Sequence, residues 1–179
     1  MTRQPSPPKS KIQGRAWKFG KNIDTDAIIP ARRCNTADPK ELALYCMEDA
    51  DPEFISKMSP SDLIVAGSNF GCGSSREVAP VAIKAAGVSA VIAASFARIF
   101  FRNAINIGLP IFESEQAASA IQEGDEIYVD PSTGIIHNLT RVEQYQTEPF
   151  PDFLQLIIDK GGLLPYVEAK LAKGNHGLS

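Results

Sequence analysis

The sequence predicts an α/β domain with a mixed sheet flanked by helices. Strand patterns alternate with helix patterns from residue 12 to residue 112, which is typical of α/β folds. A hairpin pattern follows over residues 126–139. Because a hairpin adds antiparallel strands to strands that helices connect, we expect a mixed sheet in a domain of two or three layers.

Composition limits the function classes. The chain has 179 residues, 44% of them hydrophobic, which is enough for one substantial core, and its net charge of -3 gives no reason to expect a nucleic-acid partner. No apolar segment approaches the roughly 20 residues of a membrane span, so we expect no membrane association. Three cysteines without disulfide or metal-ligand spacing favour the cytoplasm and predict no metal site in this chain.

The chain is expected to form one domain over residues 12–173 between two flexible tails, residues 1–11 and 174–179. The first tail begins MTRQPSPPKSK and lacks the apolar core of a secretory signal. A very short organelle transit peptide is the minor alternative, since this tail is basic and contains no acidic residue.

Periodicity and capping residues predict the individual elements. Asp38 is expected to cap a helix that runs to Met47, with Glu41 reaching back to the cap, and a shorter helix follows Asp51. The other predicted elements are strands at 12–19, 62–66, 88–93 and 109–112, helices at 78–86, 96–105 (capped by Ser95) and 114–122, hairpin strands at 126–129 and 135–139, and helices at 151–160 and 163–173.

The most informative stretch is a glycine-rich turn between the strand at 62–66 and the helix at 78–86. Ser74 and Ser75 are good N-cap residues, and the first amides of a helix carry partial positive charge that attracts anions. Arg76 adds a guanidinium that can bind a carboxylate or phosphate through two hydrogen bonds. The turn matches neither the P-loop nor the dinucleotide fingerprint, so an anion site and a plain strand-to-helix turn both remain open.

Two further polar segments are candidate site elements. Asp24 and Asp26 could bind a cation or orient a base, although carboxylates in turns more often accept hydrogen bonds from nearby backbone amides. Arg33 lies in a basic segment, residues 32–36, that is either a second anion-binding loop or solvated surface.

The helix at 96–105 carries two patterns. Phe96, Ile99 and Phe100 have helical spacing and are expected to form a core face, whereas Arg98 and Arg102 lie four residues apart on another face. These arginines either reach an acidic ligand or partner chain or are solvated.

Three motifs resemble one family. They are NIDTDAIIPA at 22–31, NFGCGSSRE at 69–77 and SFARIFFRNAINIGLPI at 95–111, and together they resemble the small subunits of 3-isopropylmalate dehydratase within the aconitase superfamily. The match covers roughly residues 14–173. It implies a swivelling β/β/α domain that acts with a separate large subunit, as a heterodimer or heterotetramer, and is inactive alone.

The resemblance also implies a chemistry. The family interconverts 2-isopropylmalate and 3-isopropylmalate, which are small hydroxy diacids, by dehydration and rehydration in leucine biosynthesis. No cofactor is expected in this chain, and a [4Fe-4S] cluster is expected in the large subunit. Carried onto this sequence, Ser74 becomes the general base, Ser75, Arg76 and Arg33 bind substrate, and Asp24, Asp26, Cys72 and Gly73 are possible supporting residues.

Two departures leave the substrate open. Val78 stands where family members often have histidine, and the segment 33–36 is more polar than the Tyr-Leu-Val type usual in isopropylmalate enzymes. The alternatives are a homoaconitase-like or dimethylmalate-type hydro-lyase subunit, or a non-catalytic anion-binding module of the same fold. An acyl-transfer enzyme with Ser74 as nucleophile is a remote choice, since no histidine lies nearby in the sequence.

Overall fold

Seven strands form one mixed sheet in the computed structural model, which describes residues 12–174. In chain order they are β1 (Ile12–Lys18), β2 (Leu63–Ala66), β3 (Ala90–Ala93), β4 (Ile111–Glu113), β5 (Glu126–Asp130), β6 (Ile135–Asn138) and β7 (Glu143–Gln146). Their order across the sheet is β4-β3-β2-β1-β5-β6-β7. β4 to β1 are parallel and β1, β5, β6 and β7 are antiparallel, so the predicted mixed sheet is confirmed.

Eight helices accompany the sheet within the described residues. They are α1 (Thr25–Ile28), α2 (Pro39–Ala43), α3 (Phe54–Lys57), α4 (Val78–Ala85), α5 (Arg98–Asn106), α6 (Glu115–Ala120), α7 (Asp152–Asp159) and α8 (Leu163–Gly174). A 3₁₀ turn covers Ala31–Arg33. None of these helices is both long and apolar enough to cross a membrane.

Strands β2 and β3 are buried on both faces, and their side chains divide between two cores. Ile64 and Ala66 of β2 join a core with α1 to α5, whereas Leu63 and Val65 join a second core with α6 and the antiparallel strands. This alternation follows from the two-residue period of a strand, and burial on both faces explains why β2 and β3 are continuous apolar runs.

Most predicted elements are confirmed within a few residues, and one strand was missed. β7 escaped prediction because only Tyr145 among its four residues is buried, so it lacks an apolar alternation. The predicted tail 1–11 lies outside the described residues, as do residues 175–179 with His176, whereas Gly174 is the last residue of α8. His137 lies on β6 with its ring stacked against that of Tyr128 at 5.5 Å between centres.

Two details of the predicted capping were wrong because the polar groups have other partners. Ser95 does not cap α5, which begins at Arg98, and its hydroxyl instead accepts a hydrogen bond from the amide of Asn69, at 2.9 Å. Asp38 does cap α2, but its own amide donates to Thr36 Oγ1 rather than to Glu41.

The predicted helix through Met47 was too long at its C-terminal end. α2 ends at Ala43, and the chain then turns so that Met47, with a φ of +61°, donates its amide to the carbonyl of Ile28 at 2.7 Å. Cys46 is fully buried in the first core, and burial raises the pKa of its thiol.

Candidate active site

The glycine-rich turn lies at the carboxyl edge of the parallel strands, where the segments that follow β1, β2 and β3 meet. On one side the turn pairs with the segment after β3. The amide of Phe70 donates to the carbonyl of Ser95 at 3.0 Å, and the amide of Ala97 donates to the carbonyl of Phe70 at 2.9 Å. Carboxyl edges of parallel strands are where α/β folds commonly bind ligands.

On its other side the turn pairs with the segment after β1. The amide of Gly71 donates to the carbonyl of Ile23 at 2.7 Å, and the amide of Thr25 donates to the carbonyl of Cys72 at 2.9 Å. The turn therefore extends the sheet by a few residues between two neighbours, which holds its backbone in one conformation.

Two glycines make this path possible. Gly71 and Gly73 have φ values of +77° and +88°, a region that other residues rarely adopt. A Cβ atom on Gly71 would also lie 2.2 Å from Cγ of Phe100, so α5 packs directly against the turn.

Ser74 and Ser75 occupy the loop between the turn and α4. The prediction that they cap the helix was wrong: the N-cap residue of α4 is Glu77, and both serines are exposed. The backbone N–H groups of Gly73, Ser74 and Ser75 donate to no acceptor among the described residues. These donors and the serine hydroxyls are thus available to a ligand.

Arg76 is held in place by two acceptors. Its Nη1 donates to Oδ1 of Asp26 at 2.6 Å and to the carbonyl of Ile29 at 3.0 Å, and only 17% of its side chain is exposed. Because Asp26 engages one nitrogen of the planar guanidinium, its other nitrogens remain available for a carboxylate.

The two predicted acidic residues have different partners. Asp24 caps α1 by accepting the amide of Ala27 at 2.8 Å, which agrees with the structural interpretation of this turn. Asp26 orients Arg76 instead. Between them the buried Thr25 donates its hydroxyl to the carbonyl of Ser74 at 2.9 Å, so this segment positions both Ser74 and Arg76.

A cleft of about 480 Å³ opens in front of these groups. Its walls come from the turn, from Thr25 and from α5, and the lining residues are Thr25, Asn69, Gly71, Gly73, Ser74, Ser75, Arg76, Phe96, Ala97, Arg98, Ile99, Phe100 and Asn103. The structure therefore brings together Ser74, Ser75, Arg76 and Gly73 of the predicted residues, with Asp26 behind Arg76.

Sequence reasoning missed part of this lining. Asn69 and Asn103 line the cleft, and Asn69 has a φ of +63°. Both lie in the quoted motifs at 69–77 and 95–111, but no single asparagine was selected from them because its residue type alone does not indicate a role. Ile99 was expected in the core, yet it is 51% exposed and lines the cleft, because the core face of α5 is formed by Phe100 and Ala104. Of the two arginines predicted either to reach an acidic ligand or partner chain or to be solvated, Arg98 lines the cleft.

Arg33 does not line this cleft. Its guanidinium makes two hydrogen bonds with the carboxylate of Glu48, at 2.9 and 3.1 Å, and lies 3.8 Å above the centre of the Tyr45 ring. The hydrogen bond with Arg33 holds the pKa of Glu48 below its usual value. A direct contact between Arg33 and a ligand in the cleft would require this pair to open.

Cys72 contributes its backbone rather than its thiol to the observed contacts, since its carbonyl accepts the amide of Thr25. Within residues 12–174 no group of three or more His, Cys, Asp or Glu side chains is arranged to hold a metal ion. The cleft is therefore equipped for an anionic ligand, with hydroxyl, amide and guanidinium donors.

Comparison with known proteins places the chain among related sequences. Residues 14–116 match the family model described as Aconitase C-terminal domain. The chain is 65% identical over 160 residues to the 3-isopropylmalate dehydratase small subunit of Moorella thermoacetica, covering 89% of this chain and 96% of the relative. It is 60% identical over 162 residues to the protein of the same name from Thermodesulfovibrio yellowstonii, covering 90% of this chain and 96% of that one.

A solved structure of a similarly named protein matches the fold of this chain. The crystal structure of 3-isopropylmalate dehydratase from Methanocaldococcus jannaschii superposes with a TM-score of 0.86 at 44% identity, covering 94% of this chain and all of that chain. The expected mixed sheet with flanking helices is thus shared with this protein.

Proposed function

Because the chain belongs to the family of 3-isopropylmalate dehydratase small subunits, we propose that it acts with a large subunit as a hydro-lyase on 2-isopropylmalate and 3-isopropylmalate. The reaction removes water to give an alkene and adds it back with the hydroxyl on the neighbouring carbon, as leucine biosynthesis requires. The observation that carries this proposal is the cleft that Ser74, Ser75 and Arg76 line together.

Ser74 is the proposed general base. Its exposed hydroxyl lies in the wall of the cleft, and Thr25 fixes its backbone from behind. A serine hydroxyl is a poor base in water, so its alkoxide must be stabilised by groups already in position. The backbone amides of Gly73 and Ser75 and the guanidinium of Arg76 are suitable donors. Ser74 then accepts the proton from the substrate carbon and returns it during rehydration.

Ser75 and Arg76 are the proposed carboxylate ligands. Arg76 is oriented by Asp26, so it loses little conformational freedom when a diacid binds. The Ser75 hydroxyl and amide supply neutral donors beside this cation. A substrate carboxylate held here brings its neighbouring carbon toward the Ser74 hydroxyl.

The [4Fe-4S] cluster is proposed for the large subunit. The donors of this chain do not fit an iron-sulfur cluster, since its described residues contain no group of side chains that could hold a metal ion. The side chains of this chain therefore account for proton transfer and carboxylate binding only. We propose that the chain and the large subunit form a heterodimer or heterotetramer, and that this complex is located in the cytoplasm.

The high identity to relatives named for 3-isopropylmalate favours that substrate over homocitrate or dimethylmalate. Val78, at the position where the family often has histidine, is the first residue of α4 and does not line the cleft. A non-catalytic module is disfavoured because both serines and Arg76 are retained in one cleft.

The proposal is tested by reconstitution. The chain is mixed anaerobically with its large subunit after the cluster has been rebuilt, and alkene absorbance is followed with 2-isopropylmalate, homocitrate, citrate and dimethylmalate. We expect turnover of 2-isopropylmalate only when both chains are present. Preference for another diacid would change the substrate, and no activity with any of them would favour the non-catalytic module.

A Ser74→Ala variant tests the base. We expect turnover to fall by roughly 10²- to 10⁴-fold, which is the usual contribution of a general base, while the substrate still binds. Exchange of the substrate's carbon-bound hydrogen with solvent should be lost as well. Ser68→Ala is the matched control, because Ser68 is exposed in the same loop and does not line the cleft. Retained exchange in Ser74→Ala would exclude Ser74 as the base.

A further inference from the structure

One face of α5 remains uncovered beside the cleft. Ile99 and Phe101 are 51% and 38% exposed within one helical turn, and Arg98 and Arg102 are exposed next to them. We call these four residues the α5 face. Arg98 and Ile99 line the cleft that contains Ser74.

The α5 face continues into a second depression of about 410 Å³. Arg98, Phe101 and Arg102 line it together with Phe96, Ile105, Asn106 and Glu113. Because Arg98 belongs to both depressions, the surface is continuous from the candidate active site across α5.

The charge of this surface is positive. Neither Arg98 nor Arg102 forms an ion pair within residues 12–174, in contrast to Arg32, Arg33, Arg76 and Arg141. One carboxylate, Glu113, lines the second depression, and its Oε1 accepts the amide of Phe96 at 3.1 Å. Two guanidinium groups against one carboxylate leave a net positive charge that a partner can neutralise.

We propose that the α5 face is the docking surface for the large subunit, which presents carboxylates to Arg98 and Arg102 and an apolar segment to Ile99 and Phe101. This inference rests on the proposed function. If this chain supplies the base and the carboxylate ligands, the remaining catalytic groups must reach the same cleft from the chain that covers it. That chain must then contact α5, because α5 forms one wall of the cleft.

Arg102 gives the cleanest test because it lies on the α5 face but does not line the cleft with Ser74. We expect Arg102→Glu to weaken the affinity for the large subunit by about tenfold or more, since charge reversal replaces attraction with repulsion. Higher salt should reduce the difference between the variant and the unchanged chain. At saturating large subunit, turnover should be unchanged.

Lys40→Glu is the control, because it makes the same change of charge at an exposed position of α2. Thermal unfolding checks that both variants fold, and Arg102→Gln, which removes the charge without reversing it, should give an intermediate affinity. The same affinity for Arg102→Glu and Lys40→Glu would overturn the proposal. The proposal would also be overturned if sedimentation showed that this chain forms a homodimer and that Arg102→Glu dissociates it, since the α5 face would then bind a second copy.

These outcomes are separable from failure of the proposed function. Binding is measured without turnover. If Arg102→Glu binds the large subunit as tightly as the control variant and activity still requires Ser74, the docking surface is rejected and the proposed enzymatic function stands. Absence of any complex between the unchanged chains would reject both.

Discussion

Arg33 is the residue whose predicted and observed positions differ most. It is predicted to bind a second substrate carboxylate, but in the structure it pairs with Glu48 and lies over Tyr45. Glu48 is a carboxylate, and so is the group that Arg33 is predicted to bind. The two acceptors therefore compete for one guanidinium, and breaking the pair should shift this competition.

Substitution of both partners tests the competition. If Arg33 binds substrate, Arg33→Ala should raise KM, whereas Glu48→Gln should lower KM because it removes the competing charge. Steady-state kinetics in the reconstituted complex would measure both. Asp49→Gln is the control, since Asp49 pairs with the neighbouring Arg32. Unchanged KM values with lowered thermal stability would assign the Arg33 pair a structural role only.

Gly71 is expected to tolerate no side chain. Gly71→Ala should destabilise the fold by about 1–3 kcal/mol from overpacking against Phe100, in addition to about 1–2 kcal/mol for a side chain at positive φ. Gly124→Ala isolates the second contribution, because Gly124 has a φ of +82° and nothing within 4 Å of the added atom. Urea unfolding would measure the free energy of unfolding of both variants. Equal decreases would show that α5 shifts to accommodate the added methyl group with no further loss of stability.

Among the elements, β7 pairs with β6 through its backbone but contributes only one buried side chain. Tyr145 points into the second core while Glu143, Gln144 and Gln146 are exposed. Its hydroxyl donates to Glu143, and burial raises the pKa of the Tyr145 hydroxyl to about 12. The folded state therefore favours neutral tyrosine more strongly than the unfolded state does.

This pKa predicts a loss of stability at high pH. The contribution of Tyr145 is fully present below its unfolded pKa, near 10, and is lost as the pH rises toward the folded value of about 12. The decline should approach about 1.4 kcal/mol per pH unit within this window. Urea unfolding of the unchanged chain and of Tyr145→Phe across the window would isolate the effect. Parallel pH dependences for the two proteins would contradict it.

At the scale of the molecule, the sheet separates two cores that share its central strands. All four residues of β2 and all four of β3 are buried, whereas β7 is an edge strand with one buried residue. Opening the central strands exposes both cores at once, but opening β7 exposes little apolar surface.

Amide hydrogen exchange should follow this arrangement. We expect the slowest exchange in β2 and β3, at rates that report global unfolding, and faster exchange in β7 through local opening. Mass spectrometry of peptides from each strand would measure the difference. Exchange of β7 as slow as that of β3 would indicate that the antiparallel half opens only with the whole sheet.

The sequence alone determined the alternating order of elements and the stretch that carries the chemistry. Both depend on local signals: apolar period, capping residues, and glycines at positions that need positive φ, such as Gly71 and Gly73. Its three motifs also identified the family.

Only the tertiary structure decided which of these groups meet. Asp26 lies 50 residues from Arg76 and Thr25 lies 49 residues from Ser74, yet these contacts position the candidate base and the candidate carboxylate ligand. Local pattern also did not predict that the Asn69 amide donates to the Ser95 hydroxyl or that Arg33 pairs with Glu48. The physical reason is that a polar side chain bonds to whichever partner the folded backbone brings within about 3 Å.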